Sequence, residues 1–377
     1  MSRKNPKSRT TSTTLSAITK VPFASLQVDG RIRRAVAEEL KYEMMTKCQA
    51  MTIPTSCKGV DILAKAKTGT GKTLAFLIPT IDRILKTPSE KRKGGVFALC
   101  ISPTRELAMQ IAEEAKQLLR FSQREVTQQT VYGGTNVKTD VRRFQKRFPD
   151  LLVATPGRLI DLLENHGLSQ GIRSLKCLIF DEADQLLEMG FRPEIRKILS
   201  ILPSKSTRQT LLFSATMPKD VMGIARFALR DKFEHVDCVG EDTDTHKRIP
   251  QSYTVVEDSD VMLELASAVR EAVDEDPKQY KIMVFFVTAR LTQLYAQIFN
   301  QIRGKHELKV LEMHSRKSQS HRQKCAKTFR EGQCGIMFSS DVSARGMDYP
   351  GKSGVFTSFF SQHTHTHTHT HTYSQQM

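Results

Sequence analysis

The chain has 377 residues, of which 57 are Lys or Arg and 40 are Asp or Glu, giving a formal charge of +17. That length accommodates two domains, each able to bury a core, and the basic excess favours polyanionic partners through counterion release from a phosphate backbone. No apolar run approaches the roughly 18 residues of a membrane span and no secretory signal opens the sequence, while seven cysteines without a Cys-x-x-Cys pair argue against a disulfide framework or zinc site and for an intracellular, reducing compartment.

Taken in chain order, residues 1–22 form a basic tail rich in Ser and Thr. The first 20 hold five basic residues, nine Ser or Thr and no acid. A disordered tail is favoured over an organelle transit segment of similar composition, so cytoplasm or nucleus is expected, with mitochondrion or plastid as alternatives. Residues 23–239 alternate short apolar runs with amphipathic stretches. The expected strands are Asp61–Lys65, Val96–Ser102, Thr127–Tyr132, Leu151–Ala154, Cys177–Phe180 and Thr210–Phe213. Helical patterns cover Thr73–Leu85, Glu106–Phe121, Pro193–Leu202 and Lys219–Leu229. Such alternation predicts an α/β fold with a parallel sheet covered on both faces.

Residues 240–250 lie in the polar stretch Cys238–Pro250 and read as a linker. The alternation restarts over residues 251–350. Ser252–Val256, Ile282–Val287, Val310–Met313 and Ile336–Ser339 are predicted strands; Val261–Val273, Ala289–Ile302 and Ser318–Phe329 are predicted helices. Two α/β lobes follow, the second incomplete. Residues 351–377 end in alternating His and Thr.

The first chemical signal is Ala66-Lys67-Thr68-Gly69-Thr70-Gly71-Lys72-Thr73, between a strand and a helix. Gly69 and Gly71 let the backbone approach phosphates and aim N–H groups at them, at the positive end of the following helix. Lys72 then serves the β- and γ-phosphates and Thr73 ligates Mg²⁺. The plainer alternative is a Gly-rich turn before a surface lysine. The second signal is Asp181-Glu182-Ala183-Asp184, directly behind Cys177-Leu178-Ile179-Phe180. At the C-terminal end of a parallel strand, Asp181 can hold Mg²⁺ and Glu182 can orient and deprotonate a water. The competing reading is a solvated acidic loop.

With these motifs, the sequence resembles the DEAD-box ATP-dependent RNA helicases of helicase superfamily 2. Pro103-Thr104-Arg105-Glu106-Leu107-Ala108, Gly133-Gly134, Thr155-Pro156-Gly157-Arg158 and Ser214-Ala215-Thr216 occur in the family's order. The resemblance implies two RecA-like lobes, ATP and Mg²⁺ as cofactors, and RNA as partner. It implies adenine recognition by Phe23 and Gln49, although Met45-Thr46 replaces the usual Pro-Thr before that glutamine. It also implies a grip on the RNA backbone by Pro103, Thr104, Arg105, Gly133, Gly134, Thr155, Pro156, Gly157 and Arg158. Contacts of that kind carry no base code. Ser214, Ala215 and Thr216 resemble the relay that couples the two sites.

In the second lobe, Gly346 and Asp348 are implied at the ATP ribose, and Gln319, Arg322, Ser340 and Asp341 at RNA. Ser315 and Ser340 depart mildly from the family's Gly and Thr. In the family, ATP and RNA close the cleft between lobes, the bound strand bends, and hydrolysis releases it. Beyond Pro350 the resemblance fails, because the family's His-Arg-x-Gly-Arg segment does not occur in the 377 residues. Arginine fingers of that kind contribute about 10³–10⁵ in kcat, or roughly 4–7 kcal/mol. The family's further strand is missing as well, so an unpaired apolar edge is expected in the second sheet. Gly351-Lys352-Ser353 can be encoded by GGT-AAG-T, an intron start, and His363–Thr372 by a CA repeat, so the tail reads as gene-model read-through, ahead of a metal-binding histidine tract. Two alternatives to a working helicase stand: an RNA- and ATP-binding fragment without coupled unwinding, and a P-loop enzyme acting on DNA or small molecules.

Overall fold

Short strands that are apolar at every position can be buried only if both faces of their sheet are covered. The computed structural model describes residues 18–92, 94–239, 254–302 and 310–340, together with the backbone of 354–358 and 368–373. The chain divides into two units, residues 1–241 and 242–377.

In the first unit the strands are β1 (Ile18–Pro22), β2 (Met44–Thr46), β3 (Asp61–Lys65), β4 (Ala98–Ile101), β5 (Gln128–Val131), β6 (Leu151–Ala154), β7 (Cys177–Phe180), β8 (Gln209–Ser214) and β9 (Phe233–Asp237). Strands β3 to β9 form one sheet in the order β5-β6-β4-β7-β8-β3-β9. Every pairing in it is parallel. Successive side chains point to opposite faces, and the core divides accordingly. Ile62, Ala98, Cys100, Val153, Ile179 and Phe213 belong to one cluster. Leu63, Leu99, Ile101, Leu152, Phe180 and Leu212 belong to the other. On the first face, the Lys72–Lys86 helix sets Phe76 on Phe213, ring centroids 5.5 Å apart. Burial of each such side chain contributes about 1.5–3 kcal/mol.

All six strands expected in this unit are present, within one or two residues at their ends. Three strands of this unit went unpredicted. β1 and β2 form a separate antiparallel pair, and β9 adds a parallel strand beside β3. Only Val236 of β9 is fully buried, so its sequence carries no apolar run to announce it.

In the second unit β10 (Thr254–Val256), β11 (Lys281–Phe286), β12 (Val310–Met313), β13 (Gly335–Ser340), β14 (Gly354–Ser358) and β15 (Thr368–Tyr373) form one sheet, ordered β10-β15-β14-β11-β13-β12. Here the expectation of an unpaired edge is corrected. β14 runs parallel to β11 from Ile282↔Gly354 to Phe286↔Ser358, and β15 pairs antiparallel with both β14 and β10. Backbone N–H and C=O groups along β11 demand partners, and the extended tail supplies them.

Candidate functional site

A parallel sheet delivers the C-terminal ends of its strands to one edge, where open α/β folds place their ligands. The segments singled out in the sequence follow these strands. Gly133-Gly134 follows β5, Thr155–Arg158 follows β6, Pro103–Arg105 follows β4, Asp181-Glu182 follows β7, Ala215-Thr216 follows β8, and the Gly-rich loop follows β3. Their order along the edge puts the segments assigned to RNA on β5, β6 and β4, those assigned to nucleotide on β7 and β3, and the segment assigned to coupling on β8 between these two.

Within the Gly-rich loop, Gly69 and Gly71 take positive φ, 77° and 80°. Gly71 immediately precedes the Lys72–Lys86 helix, so unpaired N–H groups and the helix dipole converge there. Thr70 Oγ1 donates to the Lys67 carbonyl at 2.8 Å, closing the turn. The loop is also braced from outside. Thr46 Oγ1 donates to the Thr70 carbonyl at 2.7 Å, and Gln49 Nε2 donates to the Gly71 carbonyl at 3.1 Å. These two residues form a capping box on the Lys47–Cys57 helix, with the Thr46 N–H donating to Gln49 Oε1 at 2.8 Å. Gln49 therefore sits against the phosphate loop with one N–H and one lone pair of its amide left over. Phe23 is buried in the core cluster of the same unit.

Beside the loop lie three buried charges. Lys72 Nζ is 3.2 Å from Glu182 Oε1 and 4.0 Å from Asp181 Oδ1. Burial opposes the Lys72 ammonium, yet the carboxylates of Asp181, Glu182 and Asp184 hold its pKa above the ordinary value. Burial likewise pushes the Asp181 carboxyl up to about 7, with Lys72 pulling the other way. Asp181 Oδ1 and Glu182 Oε2 have no hydrogen-bond partner, which is costly unless a ligand completes them. An unsatisfied carboxylate oxygen, with Thr73 in the first turn of the adjoining helix, fits Mg²⁺, which uses few protein ligands beside phosphate and water. Among the described residues no three His, Cys, Asp or Glu side chains converge to form a metal cage. Glu182 also adopts φ 51°, a left-handed conformation that a non-glycine residue holds only under constraint.

Asp184, to which the sequence gave no role, ties this centre to β8. Its N–H donates to Ser214 Oγ at 3.1 Å. Its Oδ2 accepts from the Thr216 N–H and hydroxyl, each at 2.9 Å.

Across the other half of the edge the polar groups are largely spent on one another. Thr104 Oγ1 caps the Arg105–Leu118 helix by accepting the Leu107 N–H. Pro103 is buried beside it. The Arg105 guanidinium lies on Gly133-Gly134, so closely that a Cβ at Gly134 would overlap it. Thr155 caps the Pro156–Asn165 helix without using its hydroxyl, and Pro156 occupies the first turn. Gly157 faces open space. Arg158 donates to Asp140 Oδ2 at 2.6 Å and to the Thr135 carbonyl at 2.7 Å. Neither Asp140 nor Thr135 was flagged by the sequence.

In the second unit Gln319, Arg322 and Ser340 are buried, the first two on the Gln319–Glu331 helix and the third at the end of β13. Asp341, Gly346 and Asp348 lie outside the described residues.

Comparison with known proteins agrees with this layout. The DEAD/DEAH box helicase model matches residues 46–224, and the helicase conserved C-terminal domain model matches residues 264–377. The sequence is 45% identical over 311 residues to DEAD-box ATP-dependent RNA helicase 26 of Oryza sativa subsp. japonica, covering 82% of this chain and 56% of that protein. It is 40% identical over 354 residues to the mitochondrial ATP-dependent RNA helicase cyt-19 of Neurospora crassa, covering 88% and 56%. The chain thus spans about half the length of the curated relatives it matches. Among solved structures it is similar to Mss116p bound to ssRNA and AMP-PNP, with TM-score 0.82 and 31% identity over 90% of this chain and 69% of that one.

Proposed function

Because this chain belongs to the DEAD/DEAH-box helicase family, we propose that it is an ATP-dependent RNA helicase whose first unit binds and hydrolyses ATP against a bound RNA backbone. The observation that carries this reading is the buried Lys72–Glu182–Asp181 cluster under a glycine loop, on the same sheet edge as Arg105, Gly133-Gly134 and Thr155.

Each residue then has a task. The N–H groups from Lys67 to Thr73 accommodate the phosphates, and Lys72 turns from the carboxylates to the β- and γ-oxygens. Asp181 and Thr73 hold Mg²⁺, which when bound supplies positive charge among the phosphates. Glu182, whose Oε2 lacks a partner, accepts the proton of the attacking water. Gln49 retains enough of its amide to read one edge of adenine while bracing the loop. Asp184 transmits the state of this centre through Thr216 to β8. The backbone at Gly133-Gly134 and Thr155, with Arg105, receives RNA phosphates without reading bases, and 2′-hydroxyl contacts select RNA over DNA.

The seven cysteines are unpaired, and Cys334 alone is exposed, as suits a reducing intracellular compartment. Among the described residues no helix is long and apolar enough to cross a membrane.

One feature favours a second reading. On that reading these 377 residues, which contain no His-Arg-x-Gly-Arg segment, bind ATP and RNA without coupled unwinding. An RNA-stimulated ATPase assay with the parent chain and Glu182→Gln separates the two. Robust turnover that depends on Glu182 supports the helicase; RNA and nucleotide binding without such turnover supports the uncoupled fragment.

A further inference from the structure

The guanidinium of Arg158 is turned into the protein. Nη1 donates to Asp140 Oδ2 at 2.6 Å and to Thr135 Oγ1 at 3.2 Å, and Nη2 donates to the Thr135 carbonyl at 2.7 Å. The side chains of Arg158 and Asp140 are only 9% and 7% exposed. Thr135 directly follows Gly133-Gly134, and the Arg105 guanidinium packs against those glycines. The Gly133–Thr135 turn is therefore held by two arginines, one from the segment after β4 and one from the helix after β6. Asp140 is the only acid on the Val137–Lys146 helix, which also carries Lys138, Arg142, Arg143 and Lys146. A lone carboxylate buried on a basic helix is expensive unless it is paired, and its partner is Arg158.

We infer that Asp140 is a positioning residue for the nucleic-acid face, holding Arg158 as a strut on Thr135 so that the Gly133–Thr135 backbone meets the polynucleotide already in its bound conformation. The inference rests on the RNA reading of this edge. Without the carboxylate, Arg158 is a buried cation with no counter-charge and leaves for solvent. Thr135 then loses the donors to its hydroxyl and carbonyl, and the turn must be ordered at the moment of binding. Arg158 as a strut also differs measurably from Arg158 as a phosphate clamp. Each phosphate ion pair on single-stranded nucleic acid contributes about 0.7 to the slope of log K against log salt; a strut contributes nothing to it.

The experiment is oligo(U) binding in the presence of Mg²⁺ and AMP-PNP, over a salt series, for the parent chain, Asp140→Asn, Asp140→Glu, Arg158→Ala and Asp140→Asn/Arg158→Ala. Asp140→Asn should weaken binding about tenfold with the salt slope unchanged, and Asp140→Glu should recover most of the loss. The double variant should bind no worse than Arg158→Ala alone, because the two residues act as one unit. Binding of a fluorescent ATP analogue without RNA should match the parent, which verifies that the lobe is folded. Parent-like affinity in Asp140→Asn, strictly additive losses, or a slope lowered by about 0.7 in Arg158→Ala would overturn the inference. Failure of the parent chain to bind oligo(U) would instead overturn the RNA reading beneath it.

Discussion

A single carboxylate oxygen of Asp184 accepts both the backbone N–H and the hydroxyl of Thr216, each at 2.9 Å. Asp184 belongs to the short helix that begins just after Glu182, and Thr216 leaves the end of β8, so any shift of the acidic segment pulls directly on the neighbouring strand. Thr216→Ala removes the hydroxyl bond and leaves the backbone one. It should cost about 1 kcal/mol of stability and leave nucleotide affinity close to the parent. Stimulation of ATPase by RNA should fall several-fold. Comparing turnover with and without RNA checks this, and undiminished stimulation would remove Thr216 from the coupling path.

Gly71 and Gly69 have nearly the same backbone, φ 80° and 77°, but different surroundings. An added Cβ at Gly71 would overlap the Gln49 amide, whereas at Gly69 it would meet nothing within 4 Å. Gly69→Ala therefore incurs only left-handed strain, about 1–2 kcal/mol. Gly71→Ala adds the expulsion of Gln49 and loss of its bond to the loop. Thermal melts and nucleotide titrations should rank Gly71→Ala below Gly69→Ala in both stability and affinity, the affinity gap being about tenfold or more. Equal behaviour of the two would mean that Gln49 does not brace the loop.

The central strands were legible because fully buried parallel strands need unbroken apolar runs, and Leu151–Ala154 and Cys177–Phe180 are such runs. β9 was not, since Phe233 and Glu234 are exposed and the strand forms by backbone pairing with β3. The brace at Gln49 did leave a trace, Thr46 three residues ahead of a glutamine, which is the capping-box spacing. Asp140 left none: a single acid among basic residues reads as a solvated face until the partner 18 residues away is in place. β14 and β15 were hidden for another reason. Neither Gly354–Ser358 nor Thr368–Tyr373 carries an unbroken apolar run, but a strand beside β11 needs only extended backbone and hydrogen-bonding register.

Asp181 gives the chain a pH dependence of definite sign. Burial raises its carboxyl from the ordinary 3.8 to about 7 against the pull of Lys72. Between these values the folded chain binds more protons than the unfolded chain, so this group makes stability fall as pH rises through the window and level off above about 7. Asp181→Asn cannot titrate. The stability of the variant relative to the parent should therefore grow from about pH 4 to about pH 7 and then remain constant. Parallel melting curves for both proteins across that range would show that Asp181 ionises normally. If Asp181 ligates Mg²⁺ as proposed, the Mg²⁺-dependent nucleotide affinity of the parent should tighten over the upper part of the same window, because a metal ligand must be deprotonated.

Lys72 and Glu182 are partners at 3.2 Å, and removing one is not equivalent to removing the other. Lys72→Met leaves the carboxylates of Asp181 and Glu182 buried side by side with no cation. Breaking a buried pair in this way costs about 3–5 kcal/mol, and the loop also loses its proposed phosphate ligand, so both stability and nucleotide binding should collapse. Glu182→Gln keeps the shape and an acceptor oxygen for the ammonium, while Asp181 still faces it at 4.0 Å. Its stability and nucleotide affinity should stay near the parent values. On the proposed mechanism it lacks the base for the water, so turnover should fall by about 10²–10⁴. A Glu182→Gln protein that hydrolyses ATP at the parent rate would show that the proton goes elsewhere, and with its carboxyl pushed up to about 7 by burial, Asp181 would be the next group to replace.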